Sequence, residues 1–218
     1  MKTKLIKKTK KMVNFKPNLE NYEKTRRSFS YKEAQKEIDF FGGKLNAAYN
    51  AVERHAKSWR KNKIALYWVG ADNEKLKFTF KELDDKTNQF ANLLGFLGVA
   101  RGDRVFFFLT RVPELYYGFL GTLKTGAIAG TMFAAFGPQA IEDRLENSSA
   151  KVLVTELTLF DRVAKVADKL PELETILVLG DSEKIAKLEL AGKKIISLTE
   201  LLEKQSKEYK THMMHPND

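Results

Sequence analysis

Between Phe78 and Thr155 the apolar positions switch repeatedly between helical spacing and near-continuous runs. Leu83, Phe90, Leu94 and Leu97 recur at the period of a helix. Thr79 and Glu82 stand at the spacing of a capping box, and Phe78 and Leu83 at that of a hydrophobic staple. Gly98 supplies the left-handed residue that ends the helix. After the turn "ARGD", the run "RVFFFLT" suits a strand buried on both faces. Pro113 fits a first helical position, with Tyr116, Phe119, Leu120 and Leu123 as the expected buried face up to Gly126. Strands alternating with short helices predict an α/β fold, a mostly parallel sheet flanked by helices.

The flanking segments extend this pattern. "SFSYKEAQKEIDFF" opens with a second capping box, Ser30 and Glu33, and closes at Gly42-Gly43. "KLNAAYNAVERHAKSW" predicts a helix capped by Asn46, with Ala47, Ala51 and Val52 on one face. "KIALYWVG" and "KLKFTF" flank a polar turn and predict a hairpin or two neighbouring strands. "GPQAIEDRLENSSA" begins a helix at Pro138 that buries Ile141 and Leu145. "KVLVT" is the next strand. "TLFDRVAKVADKL" is the next amphipathic helix, through Phe160, Val163, Ala167 and Leu170. A strand "ETILVLG" and a short strand leading to a third capping box, Ser197 and Glu200, follow. The end, "KTHMMHPND", has no periodicity. The expected organisation is a basic leader over 1–27, a helical segment over 28–62, an α/β body over 63–205 and a tail over 206–218.

Composition narrows the class. With 218 residues, 43% apolar and 30% charged, the chain suits one globular domain or one and a half. The absence of cysteine removes disulfides, cysteine–zinc sites and a thiol nucleophile, and fits a reducing, cytoplasmic setting. The net charge of +10 is concentrated at one end: residues 1–27 hold ten Lys and Arg against two Glu. A basic arm can touch phosphates, but no nucleic-acid-binding fold accompanies it, and a solvated leader is the expectation. "MKTKLIKKTKKM" lacks an apolar h-region, so no signal peptide is expected. The longest uncharged run, Thr125 to Ile141, is 17 residues with three glycines and Pro138. That is too short and broken for a bilayer span of about 20 apolar residues, and no membrane partner is expected.

Candidate chemistry is sparse. Neither G-x-G-x-x-G, nor a P-loop, nor G-x-S-x-G occurs. Glycines 118, 121, 126 and 130 suit helix–strand packing and a helix stop. His55 lies within its helix without further ligands at metal spacing. His212 and His215 lie three apart in what is expected to be a frayed tail. The pairs Asp84-Asp85 and Glu142-Asp143 are expected on exposed helix faces or first turns, where they complement the helix dipole. Arg162 and Lys165 stand one helical turn apart, a spacing that clamps an anion or makes a solvated basic face.

Four segments in order carry a resemblance to AMP-forming acetyl-CoA synthetases, in the adenylate-forming acyl-CoA synthetase superfamily. "NAAYNAVERHA" resembles an Asn-rich helix ending in an Asp/Glu-Arg-His-Ala run. "FTFKELDDKTNQFANLLGFLGVARGDRV" is similar to a T-Y-x-E-L helix followed by L-G-V-x-x-G-D-R-V. "PELYYGFLGTLKTGAI" resembles a Pro-Glu helix leading to Lys-x-Gly-Ala, and "FAAFGPQAIEDRLENSSAKVLVT" the stretch beyond it. The resemblance covers about Asn46 to Gly180 and implies the first subdomain of the family's N-terminal AMP-binding domain. It implies a two-step reaction: acetate and ATP give acetyl-adenylate and pyrophosphate, then CoA takes the acetyl group. ATP and CoA are thus co-substrates of the full-length family, and neither is expected to bind tightly to this chain alone. The family's phosphate-binding loop normally follows a stretch like "HPND", where this chain stops at Asp218. No catalytic or metal-binding residue is therefore carried over. Arg162 and Lys165 lie near an Arg-x-x-Arg pair that contacts CoA phosphates, and the resemblance implies that role for them.

The leading expectation is an N-terminal fragment of an acetyl-CoA synthetase, inactive alone. A split synthetase, completed by a second polypeptide and prone to self-association through an exposed apolar sheet face, is an alternative. So is a non-catalytic binding module with a basic N-terminal arm.

Overall fold

A computed structural model describes residues 19–218, so most of the leader expected over 1–27 lies outside the described residues. The described residues fall into two compact units, divided between Asp39 and Phe40.

In the first unit, α1 (Tyr22–Ser28) is capped by Asn21, whose Oδ1 accepts from the Lys24 N–H at 2.9 Å. Ser30 caps α2 (Tyr31–Ala34), which ends after four residues in a 3₁₀ turn over Gln35–Glu37. The longer helix expected towards Gly42 does not form. None of these residues is buried, and helix propensity without packing rarely sustains a helix. Glu33 turns to Lys36 at 2.6 Å, so only one arm of the expected capping box is made.

The second unit begins with a helical turn that Asn46 caps, its Oδ1 accepting from the N–H of Ala48 and of Tyr49. The turn widens into a π-helical segment, Tyr49–Glu53, before α3 (Arg54–Ala56). The buried face is Ala48, Val52 and Ala56; Ala47 and Ala51 are exposed, contrary to the expected stripe. The hairpin is present: β1 (Ile64–Val69) pairs antiparallel with β2 (Lys75–Thr79).

The main sheet has five parallel strands. They are β3 (Arg104–Phe108), β4 (Ile128–Met132), β5 (Val152–Glu156), β6 (Thr175–Leu179) and β7 (Lys194–Ser197), in the order β4-β3-β5-β6-β7. Alternate residues feed two apolar layers. Val105, Phe107, Val152, Val154 and Leu177 face α4 (Phe80–Phe96), α5 (Pro113–Thr125) and α9 (Leu198–Glu203). Phe108, Leu153, Ile176 and Val178 face α6 (Pro138–Ser148), α7 (Phe160–Ala164) and α8 (Ser182–Ile185). Both faces of the sheet are thus packed, as the continuous apolar runs required. Exposed apolar surface lies at the edge strand β4, where Ile128 is exposed, and at Phe133 just beyond it.

Two helices differ from expectation. The predicted helix 158–170 breaks into 3₁₀ turns at Leu157–Leu159 and Ala167–Lys169 around the short α7. The expected apolar positions Phe160, Val163, Ala167 and Leu170 nevertheless stay buried, together with Leu159 and Val166. In α5 the predicted face is partly solvent: Tyr116 is exposed, and the buried residues are Pro113, Tyr117, Gly118, Gly121, Thr122, Lys124 and Thr125. Small residues win because α5 lies tightly against α4 and β3. A Cβ on Gly121 would stand 2.8 Å from the Thr87 carbonyl and from the Phe90 Cβ, and one on Gly118 would stand 2.6 Å from the Phe107 ring. The helix ends at Gly126, in the left-handed region at φ 79°. In α4 the capping box closes in both directions between Thr79 and Glu82. Among the described residues, no helix is long and apolar enough to cross a membrane.

Two glycines of this unit should respond oppositely to alanine. Gly121→Ala is expected to destabilise by about 1–3 kcal/mol through overpacking. Gly95→Ala, where a Cβ meets nothing within 4 Å, is expected to stabilise by about 0.5 kcal/mol by removing glycine from a helix. Denaturant unfolding of both variants checks the pair.

Candidate functional site

In an open parallel sheet, ligands bind beyond the carboxyl ends of the strands, where the connections change direction. Here that point falls between β3 and β5, whose onward chains leave towards opposite edges. Glu156, at the end of β5, accepts from the Thr110 N–H at 3.2 Å, its hydroxyl at 2.8 Å and the Thr158 hydroxyl at 2.6 Å. The Thr155 hydroxyl donates to the Phe108 carbonyl at 3.0 Å, closing the seam between the two strands.

Arg162 reaches this same edge. Its Nη1 donates to the carbonyls of Ala134 at 2.7 Å and Phe136 at 3.3 Å, in the loop that follows β4. The Arg144 guanidinium lies 4.1 Å from the centre of the Phe136 ring. One nitrogen of Arg162 therefore braces the loop, while a guanidinium carries five N–H donors in all. Lys165 lies past the last residue of α7, exposed. The pair is close in sequence, but its members differ: Arg162 is anchored and Lys165 is solvated.

The densest polar cluster lies elsewhere, and composition and spacing had placed part of it on the surface. Asp84 is buried, not exposed as expected, and accepts from the Lys124 ammonium at 2.6 Å. The Asn88 Oδ1 accepts from the same ammonium at 2.6 Å, and Glu53 stands 3.8 Å from it. Lys124 is 0% exposed. The π-helical segment makes the fourth wall: by burying Val52 and Glu53 together, it turns a carboxylate inward next to an apolar contact. Glu53 also accepts from Lys57 at 2.5 Å and from the Thr211 hydroxyl. Burial opposes ionisation of Glu53, but the hydrogen bonds from Lys57 and Thr211 and the nearby Lys124 charge outweigh it and hold its carboxyl below the ordinary 4.5. Asp85 pairs with Lys81 at the surface, and Glu142 with Lys169.

Thr211 belongs to the segment expected to be a frayed tail, which is instead strapped across α4 and α5. The side-chain amide of Asn88 donates to the Lys207 carbonyl at 2.9 Å. That of Asn92 donates to the carbonyls of Ser206 and Glu208, both at 2.9 Å, and that of Gln89 to Leu202 and Gln205. The Asn46 amide donates to the Leu123 and His212 carbonyls, and the His212 N–H donates to the Lys124 carbonyl. Leu45 and Met214 exchange two backbone bonds, and Arg101 meets Asp218 at 2.6 Å. The strap is thus held largely through its main chain, by the amides of α4 over 202–208 and by Asn46, Leu45 and the Lys124 carbonyl over 212–214, and such contacts ask for no apolar period in its own sequence.

The histidines are spread out. His55 packs against Phe80 with its Nδ1 3.3 Å from Arg60, and His212 and His215 are positioned through their backbone N–H groups. The buried cluster neutralises charge and joins elements.

Comparison with known proteins comes out consistently. Residues 52–218 match the family described as AMP-binding enzyme. The acetyl-coenzyme A synthetase of Bacillus subtilis is 45% identical over 203 residues, covering 92% of this chain and 34% of that protein. A 3-hydroxypropionyl-coenzyme A synthetase of Sulfurisphaera tokodaii is 38% identical over 167 residues, covering 77% of this chain and 25% of that protein. Among solved structures, an acyl-CoA synthetase of Brucella canis superposes with a TM-score of 0.76 at 27% identity, covering 90% of this chain and 34% of its own. The chain spans about a third of the length of these proteins, or less.

Breaking the buried pair should be costly. Lys124→Met, which leaves Asp84 buried without its partner, is expected to destabilise by about 3–5 kcal/mol. Asn92→Ala is expected to speed amide hydrogen exchange across residues 206–210 while leaving the sheet protected. The acid limb should also respond. The folded pKa of Glu53 lies below its unfolded value, so its contribution is complete above about pH 4.5 and is lost as pH falls through the folded value. Glu53→Gln should accordingly flatten the loss of stability as pH falls below about 4.5.

Proposed function

The chain belongs to the AMP-binding enzyme family, and we propose that it is the N-terminal portion of an acetyl-CoA synthetase. The observation that carries this reading is the 45% identity to the Bacillus subtilis synthetase across nearly the whole chain. In the complete enzyme, acetate attacks the α-phosphorus of ATP, giving acetyl-adenylate and pyrophosphate. The CoA thiol then takes the acetyl group and releases AMP. ATP and CoA are the co-substrates. This portion supplies the packed sheet, the strap and part of the CoA site, with Arg162 and Lys165 meeting phosphates of CoA. Residues 1–218 contain no Gly-rich phosphate loop, so the chain is inactive alone and binds neither co-substrate tightly. A cytoplasmic setting belongs to the same reading, supported by the absence of cysteine.

A second reading shares this chemistry: a separate polypeptide completes the site. The open edge of β4, with Ile128 and Phe133 exposed beside it, supports this reading, since an unpaired edge strand is a template for another chain.

Acetate-dependent ATP–pyrophosphate exchange tests both. The 218-residue chain alone is expected to show background exchange, and adding the downstream portion of the Bacillus subtilis relative as a separate polypeptide is expected to restore it. 3-Hydroxypropionate serves as the competing acid. Exchange by the chain alone overturns the inactive reading, and failure to restore exchange overturns completion in trans. In the completed enzyme, Arg162→Ala with Lys165→Ala is expected to raise the KM for CoA about tenfold or more, the loss of a charge-assisted contact, with adenylation unchanged.

A further inference from the structure

The stretch from Lys57 to Lys81 holds seven Lys and Arg against two carboxylates, Asp72 and Glu74. Lys57 and Lys81 are paired, with Glu53 and Asp85. The other five, Arg60, Lys61, Lys63, Lys75 and Lys77, enter no ion pair among the described residues. Large apolar side chains stand exposed between them: Trp59 at 72%, Tyr67 at 66% and Val69 at 60%. The register of the hairpin puts Tyr67 opposite Lys77 and Val69 opposite Lys75, on one face, with Trp68 and Leu76 on the other. Lys77 Nζ lies 5.6 Å from the centre of the Tyr67 ring, and at the foot of β1 the charges of Arg60 and Lys63 lie 5.0 and 4.3 Å from that of Trp59. Nothing in the reaction proposed above uses this surface.

We propose that the Tyr67–Val69–Lys75–Lys77 face of the hairpin, with the Trp59 turn before it, is a peripheral docking surface for an anionic lipid leaflet. Three observations choose this occupant. A second copy of the chain would set five cations against five, and like charges on facing surfaces repel. A single-stranded nucleic acid needs free aromatic faces and a groove that follows its backbone. Here both rings already carry a cation, and an aliphatic Val69 shares the face. Lysines drawn to anionic headgroups, beside Trp, Tyr and Val at the depth of the acyl boundary, use the cations and the apolar side chains of the patch together, and the five unpaired cations outnumber the exposed Asp72 and Glu74 of the turn. The expectation of no membrane partner rested on the lack of a spanning run, which a peripheral contact does not need.

Flotation of the 218-residue chain with phosphatidylcholine vesicles, with and without phosphatidylserine, tests the proposal. Binding is expected only with phosphatidylserine and is expected to fall as salt rises. Lys75→Glu with Lys77→Glu should weaken partitioning by about tenfold or more, and Tyr67→Ser with Val69→Ser should weaken it at unchanged charge. Lys184→Glu with Lys187→Glu, the same charge change on and just after α8, should leave most of it. All three double variants should keep the parent melting temperature, because the altered side chains are exposed. Equal loss in the two charge variants would mean diffuse attraction and overturn the proposal. So would an undiminished Tyr67→Ser/Val69→Ser variant, no binding at all, or hairpin-dependent retention of single-stranded RNA in place of vesicles.

Discussion

The buried ammonium of Lys124 is the constraint around which the second unit is assembled. A cation removed from water must find partners at close range, because the desolvation cost is several kcal/mol and only well-made contacts offset it. Lys124 finds Asp84 and Asn88 on α4 at 2.6 Å each, with Glu53 of the π-helical segment at 3.8 Å. Two of these partners fix another element. Glu53 holds Thr211 of the strap, and Asn88 holds the main chain at Lys207. One charge therefore ties together two long helices, the N-terminal turn of the unit and its last twelve or so residues. A hydrophobic residue of similar length would pack there but would leave the acids without a reason to be inside.

Steric closeness makes this cluster reachable. Gly118 and Gly121 bring α5 against Phe107 and Phe90, with no room for a Cβ, so the helix turns its small and polar residues inward and leaves Tyr116 in solvent. The same packing explains why the strap is held by amide side chains of Asn88, Gln89 and Asn92. A helix face already used for close packing on one side offers polar side chains on the other, and these bond to carbonyl groups of any sequence. The region best suited to bind substrates, the carboxyl edge of β3 and β5, lies apart from this cluster. Glu156, Arg162 and the loop after β4 occupy that edge. The cluster that holds the second unit together is thus separate from that edge, in a chain that spans about a third of its relatives.

The period of the apolar residues was enough to place most of the elements. It failed where a neighbour imposed a different demand. The stripe of Ala47 and Ala51 was displaced by the wide π-helical turn, and the 158–170 helix divided into short turns while its apolar positions stayed buried. Asp84 looked like a surface carboxylate because nothing local distinguishes it from Asp85, and its partner Lys124 is forty residues away. Arg162 was singled out by its spacing to Lys165 and then by resemblance, yet its bonds to the Ala134 and Phe136 carbonyls could not be anticipated from either.

What the sequence determined by itself is local: the capping box at Thr79 and Glu82, the stop at Gly126, the doubly buried strands and the alternation that makes a parallel sheet. Those follow from backbone geometry and hydrophobic period, which act within a few residues. Its four ordered motifs also sufficed for the family. Tertiary structure alone decided which charged groups went inside, which face of α5 was buried and whether the final segment was ordered. Those outcomes depend on desolvation and close approach between residues far apart in the chain, and a charge is stable in the interior only when the whole fold delivers its partner.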